Sequence, residues 1–537
     1  MSDDFLRRLQ AAASDEERQW LATERLLNAL SADLRRMAWA AAVPHWFNAD
    51  ILAALRPELR ERAADLYAQL QVLPFVEPFA GRGHNVHELT RRLMLQRLWE
   101  ERREEYVELS RRAAGYFGGL AHPARNVSLA KLLTQLVGEK DLQTPDPRLQ
   151  VEHIYHLLLA DPDQGAEAVA QQGAAWHDEP DYTFSNLKAL ARAAREHTDA
   201  GRCAGRAAGW GRYWEGLIAY YAYQYPEAVA AFQDIQAAQI DDNRLSANCI
   251  QRLGDVHTRL SELPQARARY EEVLPFYRAI GEKLGEANCI RRLGDVHTRL
   301  SELPQARARY EEALPIYRAI GEKLGEANCI SSLGDIAVEQ KDFDAALQLY
   351  QEAIALRRAI SPADEASGYN ALGNMYEKQK EYDKAIQAYS TALELFPDHT
   401  YIWRNRADMY LKMKDAVHAA HDIEQAARLQ PDNAYLFLRR GQLAILQGQY
   451  DEALAHLQAA LERYPRMNAA HFNVGLAHLR AGQAAQALEA YRQGLAVTDA
   501  PPELDDALED LAELGPEAEA ARQMIQEWIE SRKGASR

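Results

Sequence analysis

The sequence predicts an all-α protein, a solenoid of stacked helical hairpins preceded by a separate helical region. Three observations predict it. Residues 247–286 recur almost letter for letter at 287–326, small residues and aromatics keep fixed offsets through later units, and the part before the repeats has helical apolar spacing apart from one short β-type run at 72–78. A fixed period of about 40 residues marks a repeat array, in which each unit buries its apolar face only by stacking on the next.

Residues 1–20 read as a helical lead. From 21 to 118 no repeat period is visible; Leu26, Leu27, Leu30 and Leu34, then Met37, Ala38 and Ala41, fall at helical spacing, and Pro44 breaks the run. A helix at 59–70 is followed by the β-type run, the turn Ala80-Gly81-Arg82-Gly83, a return strand through His84-Asn85-Val86-His87, and a long helix from Glu88 carrying Leu89, Leu93, Leu95 and Leu98. Helices, a hairpin and a helix make a winged-helix order. The residues L-P-F-V-E-P-F, G-R-G and V-H-E-L-T-R-R-L-M-L resemble the winged-helix domain that follows the nucleotide-binding core of STAND-type NTPases, the signalling class that includes NB-ARC proteins. In that class a Met-His-Asp motif touches nucleotide, and Val86-His87-Glu88 is similar, with its acid one carbon longer. A P-loop needs a Gly-rich turn ending in Gly-Lys-Ser/Thr, and these 537 residues contain none. His87 is therefore expected to be a vestigial nucleotide-sensing residue packed under the wing or, in a second reading, half of a site completed by a separate NTPase chain.

Residues 119–205 form a helical connector. His153 and His156 stand one turn apart, but no second ligand pair accompanies them, and His418 and His421 beside Asp422 are read the same way. No metal is implied. From 206 to 500 the repeats run as about eight units, the first marked by Gly216, Tyr225, Ala228 and Phe232. Gly254, Gly294 and Gly334 recur every 40 residues, Gly373 follows after 39, and Ala407, Gly441 and Gly475 recur every 34, so extended units near 247–365 give way to short units near 366–500. The pattern Leu293-Gly294, Ala306, Tyr310, Ala313 resembles the tetratricopeptide repeat (TPR), whose small residues let two helices approach while an aromatic fills the gap. The extended units resemble those of kinesin light chains and bacterial signalling proteins. The resemblance implies a right-handed α-solenoid, with residues 501–537 as capping helices and a carboxylate-rich tail.

Composition narrows function. A net charge of −17 argues against a nucleic-acid partner held by phosphate contacts. Three of the four cysteines, Cys249, Cys289 and Cys329, occupy one repeat position, and stacked helices hold such positions roughly 10 Å apart, too far for a disulfide. They read as apolar packing residues of a reduced compartment. With no basic segment before an apolar run at the start and no stretch of about 18 apolar residues, a soluble, cytoplasmic chain is expected.

On each first helix of a repeat a second, polar stripe runs beside the apolar one. Asn288, Arg292, Asp295 and Arg299 are spaced by four, three and four residues, as are Asn248, Arg252, Asp255 and Arg259. The TPR resemblance assigns these positions to a concave binding groove and extends the set to Asn328, Asp335, Asn370, Asn374, Lys378, Arg404, Asn405, Asp408 and Lys412. Asn bonds both N–H and C=O of an extended peptide and Arg grips carboxylates, so the groove suits a polar or acidic segment; alternatively Arg292 and Asp295 neutralise one another on a solvated face. The Lys-Asn-Asn-Lys-Arg clamp of chaperone-binding TPRs is absent. The leading expectation is a non-enzymatic adaptor or sensor, without cofactor, binding a protein or peptide segment. Two others are the sensor subunit of a split STAND-type ATPase and a DNA-binding regulator using Arg91, Arg92, Arg97, Arg102 and Arg103, with which Glu100, Glu101, Glu104 and Glu105 interleave.

Overall fold

The structure is a computed structural model that describes residues 3–121, 146–177, 184–498 and 504–535. The connector's residues 122–145 and 178–183 lie outside the described residues. Two compact units divide the chain, Met1–Glu282 and Lys283–Arg537.

In the first unit α1 (Asp3–Ala11), α2 (Asp15–Ala29), α3 (Ala32–Ala41), α4 (Ala49–Leu55) and α5 (Ala63–Leu70) lead to a hairpin. Ser14, Ser31 and Asn48 accept hydrogen bonds from the amides of Glu17, Leu34 and Ile51, so three of these helices start on capping residues. The antiparallel hairpin pairs β1 (Val76–Phe79) with β2 (Gly83–Val86), and Phe47 adds a bridge to His84. Gly83 is required there: its φ is +112°, and a Cβ would stand 2.4 Å from the Phe47 carbonyl oxygen. The expected long helix is two, α6 (Glu88–Glu101) and α7 (Arg103–Ala121), broken at Arg102 where the backbone leaves helical angles. Met37, Phe47, Leu52, Leu66, Met94, Tyr106 and Phe117 fill one core beneath these elements.

Helices α8 (Pro147–Ala160), α9 (Pro162–His177) and α10 (Phe184–Asp199) follow, then the pairs α11 (Arg206–Tyr221) with α12 (Tyr225–Ala237) and α13 (Asn243–Arg259) with α14 (Leu263–Ile280). The second unit continues with α15 (Lys283–Arg299) and α16 (Leu303–Ile320), α17 (Lys323–Glu339) and α18 (Phe343–Arg358), α19 (Pro362–Lys378) and α20 (Tyr382–Leu395). Next come α21 (Thr400–Lys412) and α22 (Ala416–Leu429), α23 (Ala434–Leu446) and α24 (Tyr450–Arg463), and α25 (Asn468–Arg480) and α26 (Ala484–Val497); α27 (Asp505–Ala512) and α28 (Glu519–Ala535) close it. The architecture is an all-α TPR solenoid built from helices in consecutive packed pairs.

Each pair closes on one small residue. A Cβ at Gly254, Gly294, Gly373 or Gly475 would fall 2.5–2.6 Å from the ring of Tyr270, Tyr310, Tyr389 or Tyr491, so glycine lets the tyrosine lie flat on the first helix. The turn inside the pairs uses a left-handed residue at Ser261, Ser301, Lys341, Lys380 and Lys414, then at Gly448 and Gly482. Outside glycine that conformation costs about 1 kcal/mol. The four cysteines are free and buried, and burial pushes the Cys329 thiol up to about 12.

Candidate functional site

The glycine that admits a tyrosine also places its hydroxyl. The residue after the glycine is Asp255, Asp295, Asp335 or Asn374, and the hydroxyls of Tyr270, Tyr310, Tyr350 and Tyr389 donate to these at 2.8, 2.9, 2.5 and 2.7 Å. A second tie crosses each extended pair near its other end. Tyr277 donates to Asn248 at 3.0 Å, Tyr317 to Asn288 at 2.7 Å, and Arg357 to Asn328 at 2.9 Å. The stripe expected to line a binding groove is thus partly internal, because the second helix of the same pair supplies partners for its Asn and Asp side chains. Burial follows the same division: Asp255 is 2% exposed, and its other carboxylate oxygen accepts from Arg252 at 3.1 Å. Burial, then the Asp295 charge, drives the Tyr310 hydroxyl above its ordinary range; burial raises the Asp335 carboxyl despite the Tyr350 hydrogen bond.

One difference between the copies rewires this tie. Gln251 accepts from Tyr277 at 2.7 Å, while Arg291 at the same repeat position grips Asp295 at 2.8 Å. In the first unit Arg252 and Arg259 also donate to the hydroxyls of Tyr213 and Tyr220. Arg292 is partly buried and Arg299 exposed on α15.

Along α19, α21 and α23 the stripe is differently made. The Asn405 amide donates to both Asn370 and Asn374 at 3.3 Å, joining two first helices. Lys378 pairs with Glu339, Lys412 with Glu377 at 3.2 Å, and Asp408 with Arg439 at 3.1 Å. The Arg404 guanidinium lies 4.6 Å from the Tyr401 ring centroid and 4.8 Å from that of Tyr435, and each tyrosine is 44% exposed. Tyr401 and Tyr435 hold one repeat position on successive first helices. Partly exposed aromatic rings stiffened around an arginine are a surface type often found at the energetic centre of protein interfaces. Sequence reasoning singled out Arg404 and missed both rings, although their 34-residue spacing was readable.

A second polar cluster lies in the first unit and was not anticipated. His45 Nδ1 is 2.8 Å from Glu152 and its Nε2 3.1 Å from Glu196, while His156 Nε2 lies 3.2 Å from Glu152. Arg91 donates to Glu196 at 2.9 Å, to Tyr155 at 3.0 Å, and to the carbonyls of Val43 and Pro44. Burial opposes ionisation of Glu152 and Glu196, but the charges of His45 and Arg91 respectively hold both well below the carboxylate range. Burial also lowers the His45 imidazole, and Glu152 outweighs it, so His45 is raised. This cluster ties the segment after α3 to α6, α8 and α10. It also removes Arg91 from any solvent-facing basic row, and Arg92, Arg97 and Arg102 pair with Glu16, Glu101 and Glu105. The expected His pair is explained too: His156 is buried in the cluster and His153 Nδ1 lies 2.8 Å from the Ala114 carbonyl oxygen.

His87 does not pack under the hairpin. It is exposed immediately before α6, and its backbone N–H donates to the Phe75 carbonyl at 2.8 Å; His84 instead packs inward, 2.8 Å from the Tyr67 hydroxyl. Among the described residues there is no group of three His, Cys, Asp or Glu suited to a metal, and no helix long and apolar enough to cross a membrane.

Comparison with known proteins agrees with the repeat reading. Tetratricopeptide repeat family models match residues 285–359, 366–399, and 404–465 with 438–504, so the chain carries tetratricopeptide repeats. No curated protein matches it. Among solved structures it is similar to a Signal Transduction ATPase with Numerous Domains (STAND) protein with a tetratricopeptide repeat sensor from Pyrococcus horikoshii, at 14% identity and a TM-score of 0.51, over 84% of this chain. The match spans 66% of that protein, just under two thirds of its length. A tetratricopeptide repeat protein from Parabacteroides merdae is similar at 16% identity and a TM-score of 0.33, over 45% of this chain and 97% of that one. One from Thermus thermophilus is similar at 21% identity and a TM-score of 0.30, over 35% and 97%.

Proposed function

We propose that this protein is a non-enzymatic adaptor or sensor that binds a protein or peptide segment along the first helices of its TPR array. The observation that carries the reading is the exposed Tyr401–Arg404–Tyr435 stack beside the Asn370, Asn374 and Asn405 amides, on repeats of a family whose general role is protein interaction. The rings supply rigid apolar area and the amides backbone-type hydrogen bonds, the combination an extended or helical segment needs. Asn248, Arg252, Asp255, Asn288, Asp295, Asn328 and Asp335 serve the tie between helices first, so the binding surface centres on α19–α23. The test is affinity capture from native lysate with the wild type and a Tyr401→Ala/Arg404→Ala/Tyr435→Ala variant. The variant is expected to lose the captured partner with an unchanged melting temperature. Elution of the same proteins from both chains would place binding elsewhere.

A second reading is favoured by the likeness to a STAND protein with a TPR sensor, which covers 84% of this chain, more than the repeats alone. In it residues 21–118, with the hairpin, are a winged-helix domain, and the chain is the sensor of a system whose NTPase is a separate chain. ATP-dependent recovery of a P-loop protein with the tagged chain is expected; its absence at every nucleotide state tried would exclude this reading. The DNA-binding reading finds no support in the paired arginines of α6.

A further inference from the structure

The acidic helix α27 lies against a row of lysines from repeats about one hundred residues earlier. Lys380 pairs with Glu509, Lys414 with Glu513 at 2.9 Å, Lys412 with Asp506 at 3.7 Å, and Arg480 with Glu513 at 3.8 Å. These cations share one edge of the array: Lys380 and Lys414 occupy the left-handed turn after α19 and α21, Lys412 ends α21 and Arg480 ends α25. Lys341, exposed, holds the same turn position one repeat earlier. In the next two turns that position is Gly448 and Gly482, the residue the conformation favours, so three successive lysines are not required by the turn.

The acidic side of the contact is built from one short helix with two faces. Leu504, Ala507 and Leu511 anchor it in a core with Leu476 and Leu479, while Asp506, Glu509 and Glu513 reach the lysines. Both members of the Lys380–Glu509 and Lys414–Glu513 pairs are about half exposed or more, and such pairs exchange partners readily and weaken with salt. The carboxylates also crowd one another: Asp510 is pushed up to about 6, by burial first and then by Asp506 and Glu513.

We infer that the lysine edge Lys380–Lys412–Lys414–Arg480 is a docking surface for an acidic helical segment of a partner protein, and that α27 is its built-in competitor. The carboxylates of α27 occupy the cations in the resting chain, and a partner helix with a similar acidic row exchanges with them without the apolar anchor of α27 having to leave. This inference rests on the protein-binding reading above and names the chemistry of the bound segment.

The experiment uses the full chain and a fluorescein-labelled synthetic peptide with the sequence of residues 504–515, read by anisotropy in low salt. The Asp506→Asn/Glu509→Gln/Glu513→Gln chain is expected to bind the peptide at least tenfold more tightly than the wild type. Adding Lys380→Ser/Lys414→Ser, the residue already found at Ser261 and Ser301 in this turn, should return binding to the wild-type level. A peptide with its carboxylates replaced by amides should bind neither chain. Equal binding by wild type and neutralised chain, binding that survives the lysine substitutions, or equal binding of the amide peptide would each overturn the inference. Should the neutralised chain fail to fold, the wild type and its Lys380→Ser/Lys414→Ser variant decide: the acidic peptide at high concentration must bind the wild type several-fold more tightly than the variant, and equal binding overturns the inference. If the peptide result is negative but capture still depends on Tyr401, Arg404 and Tyr435, the adaptor reading stands and this inference alone falls.

Discussion

The two copies of the duplicated unit allow one substitution to be made twice in nearly the same sequence. Tyr270→Phe and Tyr310→Phe each remove a hydroxyl that donates to the aspartate after the closing glycine. The environments differ. The Asp255 side chain is 1% exposed, so water cannot replace the lost hydroxyl although Arg252 stays in place, and losing a hydrogen bond to a charged group there costs about 1.5–3 kcal/mol. The Asp295 side chain is 35% exposed and still holds Arg291, so water replaces the hydroxyl and the cost is about 0.5–1 kcal/mol. Because repeat arrays open locally, the assay is amide hydrogen exchange of α13–α14 against α15–α16, the copies being distinguished by peptides containing Gln251 or Arg291. Tyr270→Phe should accelerate exchange roughly 10- to 100-fold in its pair, and Tyr310→Phe roughly 2- to 5-fold, since about 1.4 kcal/mol is a factor of ten. Equal effects, or a larger one at Tyr310, would refute the claim that burial of the acceptor sets the strength of the tie.

Three further outcomes follow from the packing and charge. Gly294→Ala should destabilise its pair by more than Gly334→Ala, about 2–3 against about 1 kcal/mol, because the new Cβ meets the Tyr310 ring at 2.6 Å but the Tyr350 ring at 3.1 Å; local exchange rates compare them. Arg91→Ala should cost the first unit about 3–5 kcal/mol in denaturant unfolding, since it takes the guanidinium from Glu196, leaving it His45 and Tyr155, and a donor from the Val43 and Pro44 carbonyls, whereas Arg92→Ala, paired with Glu16 at the surface, should cost under about 1 kcal/mol. Asp510 holds its proton more tightly folded, near 6, than unfolded, near 3.8, so acidification from pH 7 through 6 to 4 should stabilise the C-terminal cap. Asp510→Asn should therefore stabilise the cap by about 1–2 kcal/mol at pH 7.5 and flatten its pH dependence in that window, as read by thermal melts of the two chains between pH 4 and 7.5.

Much of the site was legible only in part. The residue types at Asn288, Asp295 and Arg404 were visible, but a stripe read on one helix says nothing about the second helix that folds back beside it. The Tyr310 hydroxyl reaches Asp295 from 15 positions away, and that offset, repeated at Tyr270, Tyr350 and Tyr389, was a signal present in the sequence. The His45–Glu152–Glu196–Arg91 cluster gave weaker notice. Its members lie 105 to 151 residues apart across two of its contacts, and only their isolation on apolar helix faces hinted at burial.

What the sequence determined by itself is local and periodic. The 40-residue duplication, the glycine that admits a tyrosine and the helical spacing of apolar residues specify stacked α-hairpins, because each constraint acts within one unit or between neighbours. The hairpin at 76–86 was readable for the same reason, its turn and strands being contiguous. Tertiary structure alone decided which side chains of the stripe stay exposed. It turned Asp255 and Asn248 inward and left Tyr401 and Tyr435 half open around Arg404. It also set carboxylates of and beside α27 on lysines 94 to 129 residues away. Pattern and propensity are short-range quantities, whereas exposure and charge pairing depend on which surfaces meet after the chain has folded.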